Sequence, residues 1–152
     1  MQMRWMCCLL LWCSCQAFAA DITVTGNWSA AVTRDDLTGG TGTDLRSPIE
    51  SNSGQVTLDI LNTGGATWTV TVARNDINWP AGVALALRRT STGAGTGTIS
   101  GGAAYLSLGP GAQTFLTGSG DRTGIQIQFK SDGMSVKNIA GLYNGTISYV
   151  IQ

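Results

Sequence analysis

The sequence predicts an all-β fold, an antiparallel sandwich of seven to nine strands. Apolar and polar residues alternate with period two in run after run, as half-buried strands require. Turns rich in Gly, Asn and Asp separate these runs at short intervals. No window of ten residues or more carries the 3.6-residue period of an amphipathic helix. A closed barrel is the alternative that fits the same pattern.

Residues 1–19 read as a secretory leader. Arg4 gives a basic start, Trp5 to Cys13 is an apolar run of nine, and Ala17-Phe18-Ala19 fits a small-x-small cleavage site. The run is too short for a spanning helix, which needs about 20 apolar residues. Cleavage after Ala19 or Ala20 leaves residues 20–152 as a single domain, secreted, periplasmic or at the cell surface, with no membrane span. Cys7, Cys8, Cys13 and Cys15 all lie before that point, so the mature domain is expected to hold neither disulfide nor reactive thiol. A lipid anchor on Cys15 is the competing reading, but Trp12 stands where a small aliphatic residue is expected.

The first mature element is Ile22 to Val32. Ile22, Val24, Gly26, Trp28, Ala30 and Val32 fall on one face, with Thr23, Thr25, Asn27, Ser29 and Ala31 on the other, which predicts a strand of eleven residues. Arg34 to Gly54 follows as a connection of about twenty residues, long enough to indicate a functional loop, a flexible hinge or a short additional strand. Val56, Leu58 and Ile60 give the next strand. The turn Asn62-Thr63-Gly64-Gly65 leads into Ala66, Trp68, Val70 and Val72, so these two strands are expected to form a hairpin. Val83, Leu85 and Leu87 alternate with the small residues Ala84 and Ala86, whose face is expected to be covered.

Thr92 to Gly102 is dense in glycine and reads as a long flexible turn. Tyr105 to Leu108 and Gln113 to Thr117 flank Gly109-Pro110-Gly111, and Gly118 to Gly124 is a further turn. Ile125, Ile127 and Phe129 alternate strictly with Gln126, Gln128 and Lys130. In the terminal strand Ile147, Tyr149 and Ile151 share a core-facing side, opposite Thr146 and Ser148. Strands of this number and spacing predict an immunoglobulin-like arrangement.

Catalytic chemistry is sparse. The chain has no His, and without cysteine the mature domain lacks the usual general base near neutrality, a Ser–His arrangement and soft metal ligands. The protein is therefore expected not to be an enzyme and to use no cofactor. Asp35-Asp36 is an adjacent carboxylate pair, but neighbours on an extended backbone point apart, which suits a solvated loop better than a catalytic pair. Gly93, Gly95, Gly97 and the Gly118-Ser119-Gly120 run lack the strand-to-helix context of a phosphate loop. Asp121 and Asp132 lack the spaced oxygen ligands of a calcium loop.

Of nine Lys and Arg residues only Arg4 lies in the leader, leaving eight against nine carboxylates, scattered along the chain. Nucleic acid, which needs clustered cations, is not an expected partner. Trp28 and Trp68 occupy apolar strand positions and read as core. Trp79, before Pro80 in a polar stretch, is the candidate ligand contact, for a glycan or a protein.

The pieces Gly118-Ser119-Gly120-Asp121-Arg122, Ile125 to Lys130, and Gly141-Leu142-Tyr143 with Thr146-Ile147-Ser148-Tyr149 resemble bacterial secreted spore-coat-U-like and archaic chaperone-usher pilin domains. The closing G-x-Y-x-x-T-I-x-Y carries most of the likeness. The resemblance implies an immunoglobulin-like fold, export through a periplasmic chaperone, and polymerisation in which the N-terminal strand of one subunit completes the sandwich of the next. Ile22, Val24, Trp28 and Val32 are then the strand-exchange residues. A long alternating strand tied to the domain by a long loop is what strand donation needs. The other reading keeps that strand as the first of its own sandwich. The chain departs from the family pattern in its cysteine-free mature part and in Ile151, where an aromatic is usual.

The expected function is a secreted surface-structural or pilus-like fibre subunit, adhesive in character, associating with itself or a related subunit. The alternative is an extracellular module that binds carbohydrate or protein.

Overall fold

The computed structural model describes residues 19–76, 79–138 and 141–152. Apart from Ala19, the leader expected over residues 1–19 lies outside them. Eleven strands form among the described residues: β1 (Asp21–Thr25), β2 (Ile49–Glu50), β3 (Val56–Leu61), β4 (Thr67–Asp76), β5 (Ala84–Arg89), β6 (Ala94–Gly95), β7 (Ile99–Ser100), β8 (Leu106–Ser107), β9 (Gln113–Ser119), β10 (Arg122–Asp132) and β11 (Gly145–Ile151). Seven of them run five residues or more, and the other four are two-residue pairings at the margins.

Two antiparallel sheets make a sandwich. The first has the order β1-β3-β10-β5-β8, with β2 and β6 also paired to β10; the second has the order β11-β4-β9-β7. The inward residues of alternating strands meet between the sheets. Leu58 and Ile60 of β3, Trp68, Val70 and Val72 of β4, Leu87 of β5, Phe115 and Leu116 of β9, and Ile125, Ile127 and Phe129 of β10 form one core cluster. Burying a large apolar side chain contributes about 1.5–3 kcal/mol, so period-two patterning is enough to hold the layers together.

From β3 onward the long strands sit where the alternation puts them, but the partners of β3 and β4 differ from the expected hairpin. β3 belongs to the first sheet and β4 to the second. The Asn62-Thr63-Gly64-Gly65 turn is a corner between sheets, made by positive φ at Asn62 (57°) and Gly65 (82°). Thr63 is buried there, and its backbone N–H and hydroxyl both donate to Asp121 Oδ1, at 2.9 and 2.6 Å. A tight hairpin would have left Trp68 and Leu58 on one sheet facing the same way with nothing to close over them. The Gly109-Pro110-Gly111 turn is likewise a crossing, from β8 in the first sheet to β9 in the second.

The small-residue face of β5 is covered at Ala86 but not at Ala84, which is exposed at the start of the strand. Ala86 is 5 % exposed. Beside it the Tyr105 ring is flanked by the Arg88 guanidinium at 4.7 Å and the Lys130 ammonium at 4.6 Å from its centroid. Burial, and then the nearby Glu50 carboxylate, push the Tyr105 phenol above its ordinary pKa.

The first strand is shorter than its alternation predicts. β1 ends at Thr25 because Gly26 turns to φ +106°, and a Cβ there would lie 2.5 Å from the Gln55 carbonyl oxygen. Residues 26–33 leave the sheet. The long connection after them contains a capped 3-10 turn (Arg34–Asp36), closed when Asp36 accepts the Thr33 N–H at 2.7 Å, and then the short strand β2 on β10.

Candidate functional site

A groove of about 1160 Å³ lies between residues 26–32, which follow β1 off the sheet, and residues 134–138 and 141–149, with Val24 of β1 at one end. Its floor is made by Phe129 of β10, Leu85 of β5 and Ile49 of β2. Trp28 enters from the N-terminal segment and stacks on Phe129, with ring centroids 6.0 Å apart and planes at 6°. Such an aromatic pair is worth about 0.5–1.5 kcal/mol beyond its buried area. It also fixes the detour that Gly26 begins.

Two carboxylates tie the rim. Asp44 accepts from the Val136 N–H at 2.9 Å and the Ser135 hydroxyl at 3.0 Å, and Asp132 accepts from the Ser47 hydroxyl at 2.6 Å. The Val136 N–H is the largest influence holding the Asp44 carboxyl below its ordinary pKa, and the Ser47 hydroxyl does the same for Asp132. Residues 44–47 and 132–136 are thereby held as one wall.

Among the described residues no charged side chain lines the groove. Tyr149 of β11 lines it with a phenol whose oxygen is buried and has no hydrogen-bond partner. Burial pushes that phenol far above its ordinary pKa, so it stays protonated and neutral.

The strand-exchange residues do not act as one face. Ile22 packs against the core from β1, which pairs with β3 in the register Ile22↔Ile60 and Val24↔Leu58. Val24 is 44 % exposed at the groove mouth. Trp28 and Val32 lie beyond the strand, the first half-buried on Phe129 and the second 39 % exposed on the groove wall. Positive φ at Gly26 is the physical reason for the division.

The terminal residues Ile147, Tyr149 and Ile151 lie on β11, the edge strand of the second sheet, paired to β4 as Tyr149↔Val72 and Ile151↔Val70. All three pack against the core, while Val150 on the opposite side is 50 % exposed. Trp79, expected as an exposed contact, is instead half-buried against the core. Its indole N–H donates to the Val83 carbonyl at 2.8 Å, and the Arg74 guanidinium lies 5.3 Å from its ring centroid. An indole has one donor and two faces, and here the donor is engaged and one face is occupied.

Sequence reasoning missed Phe129 as a site residue, because strict alternation marks it only as core. It missed Asp44 and Asp132 as the rim ties, because each is one polar residue among many in a turn-rich stretch. Comparison with protein families, curated proteins and solved structures found no match.

Proposed function

We propose that the protein is a secreted surface-structural subunit, immunoglobulin-like in arrangement, that assembles into fibres by passing its N-terminal strand to a neighbour. The observation that carries this reading is the weak attachment of β1. It is a five-residue edge strand that pairs, among the described residues, with β3 alone. Of its side chains Ile22 packs against the core and the others are exposed. An edge strand with few buried contacts costs little to release, and the uncovered β3 edge is a template for the same strand from another copy. The connection from Gly26 to Gln55 supplies the reach for such an exchange.

A disulfide lock tests this. Thr25 and Thr57 are cross-strand partners in β1 and β3, and the domain from residue 20 on has no cysteine of its own. Thr25→Cys with Thr57→Cys, oxidised, should remain monomeric under conditions where the unmodified protein forms heat-labile ladders, and reduction should restore them. Ladders of equal length from the oxidised double variant, or a strictly monomeric unmodified protein, would defeat the proposal.

A further inference from the structure

We infer that Asn144 is a site of spontaneous deamidation, placed so that its conversion to aspartate and isoaspartate loosens the entry to β11. Of the asparagines in the chain, it alone is followed by glycine. The reaction needs the backbone nitrogen of the next residue to reach the side-chain carbonyl carbon, and a glycine there, without a Cβ, obstructs that approach least.

The fold leaves the reacting atoms accessible. Asn144 and Gly145 are both exposed. Asn144 stands just before β11, outside the ladder that holds the strand. That ladder also sets where the Gly145 N–H points. Thr69 and Gln152 exchange both backbone hydrogen bonds, each at 2.9 Å, and so form a hydrogen-bonded pair. Along the unbroken register the two kinds of pair alternate, which makes Asn75↔Thr146 a hydrogen-bonded pair and Asp76↔Gly145 a non-hydrogen-bonded one. Arg74, in the non-bonded set, sends its N–H away from β11 to the Gly109 carbonyl at 2.9 Å, as this parity requires. The Gly145 N–H is therefore directed away from β4. β11 is the edge of its sheet, with no strand on that side among the described residues.

Once the Gly145 N–H proton passes to solvent base, the nitrogen attacks Asn144 Cγ. A C–N bond closes a five-membered succinimide, the bond from Cγ to the side-chain nitrogen breaks, and that nitrogen takes up a proton and leaves as ammonia. Water then opens the ring at either carbonyl, giving aspartate or isoaspartate. Isoaspartate carries the chain through its former side chain, which inserts one backbone carbon immediately before Gly145 and works against the first pairs of β11.

Asp132-Gly133 is the matching acid and is expected to stay intact. The Gly133 N–H donates to Asp132 Oδ1 at 2.9 Å and to the Ser47 hydroxyl at 3.1 Å, and that hydroxyl donates to the same Oδ1 at 2.6 Å. An ionised carboxylate held this way is a poor electrophile, and the neighbouring nitrogen is engaged.

The test holds residues 20–152 in neutral buffer at physiological temperature, folded and in denaturant, and follows digests by mass and by isoaspartyl methyltransferase labelling. Asn144 is expected to convert in the folded chain within about tenfold of its rate in denaturant, because no more than local fraying is needed. Asn144→Gln should prevent conversion, since a six-membered imide closes far more slowly, and Gly145→Val should do so by shielding the nitrogen. In the purified isoaspartate form the Thr146 amide should exchange about three- to tenfold faster than in fresh protein, the worth of one hydrogen bond. Asn144 intact in the folded chain while it converts in denaturant, conversion at Asp132 ahead of Asn144, an unchanged rate in Gly145→Val, or equal exchange at Thr146 would each overturn the inference.

Discussion

Residues 93–101 and residues 21–33 look alike in sequence, short runs of small and alternating residues, yet the fold attaches them in opposite ways. The first run carries few apolar side chains and is clamped to both sheets. β6 pairs with β10, and β7 pairs with β9. Arg122 donates to the Gly97 carbonyl at 2.5 Å and to the Thr92 carbonyl at 3.3 Å. The second run carries Ile22, Val24, Trp28 and Val32; its strand pairs with β3 along one edge, and beyond Gly26 Trp28 stacks on Phe129. The clamped run is held by close backbone approach repeated at three glycines, where the other run has a single such approach, at Gly26. In the clamped run, Cβ atoms at Gly93, Gly95 and Gly97 would collide with the carbonyl oxygens of Thr123, Asp121 and Ser119 in turn. The expected flexible turn is thus a glycine seam, and its lack of side chains lets it lie flat on the crossing from β9 to β10.

The largest effect that sharpens this contrast is expected at the seam. Gly95→Ala adds a collision with backbone to a φ of +142°, and should cost roughly 2–5 kcal/mol and deplete folded protein. Gly124→Ala keeps a positive φ of +71° but meets open space, so about 1–2 kcal/mol is expected. Thermal melts of the two variants compare them. Equal losses would mean that conformation alone, without close approach, sets the requirement for glycine.

A smaller but equally directional effect is expected on β11. Tyr149→Asp removes a core-packed ring and places a carboxylate in an uncharged groove, for a loss of about 3 kcal/mol or more. Ser148→Asp on the opposite side of the same strand should stay within about 0.5–1 kcal/mol. Denaturant titration of both variants distinguishes a half-buried terminal strand from an exposed one, on which the two would behave alike.

The legible part of this fold is what period two encodes. Val56, Leu58 and Ile60, or Ile125, Ile127 and Phe129, announce both a strand and its buried side. Sheet membership is not encoded that way, because β3 and β4 would show the same alternation in a hairpin as they do across a corner. The corner depends on Thr63 reaching Asp121, a contact between residues 58 positions apart. Local pattern also overstated β1, since the alternation through Trp28 and Val32 continues past a glycine whose φ removes both from the strand. The groove was legible only in pieces: Trp28 and Tyr149 stood out as aromatics, while their arrangement around Phe129 and the ties at Asp44 and Asp132 arise from tertiary contact alone.

Native-state hydrogen exchange on residues 20–152 tests most directly the claim that β1 is the loosely held element. The expected result is that the β1 amides exchange through local opening well before those of β10, while amides of residues 94–100 keep protection close to that of the core. Protection of β1 equal to that of β10, or early exchange across residues 94–100, would contradict it.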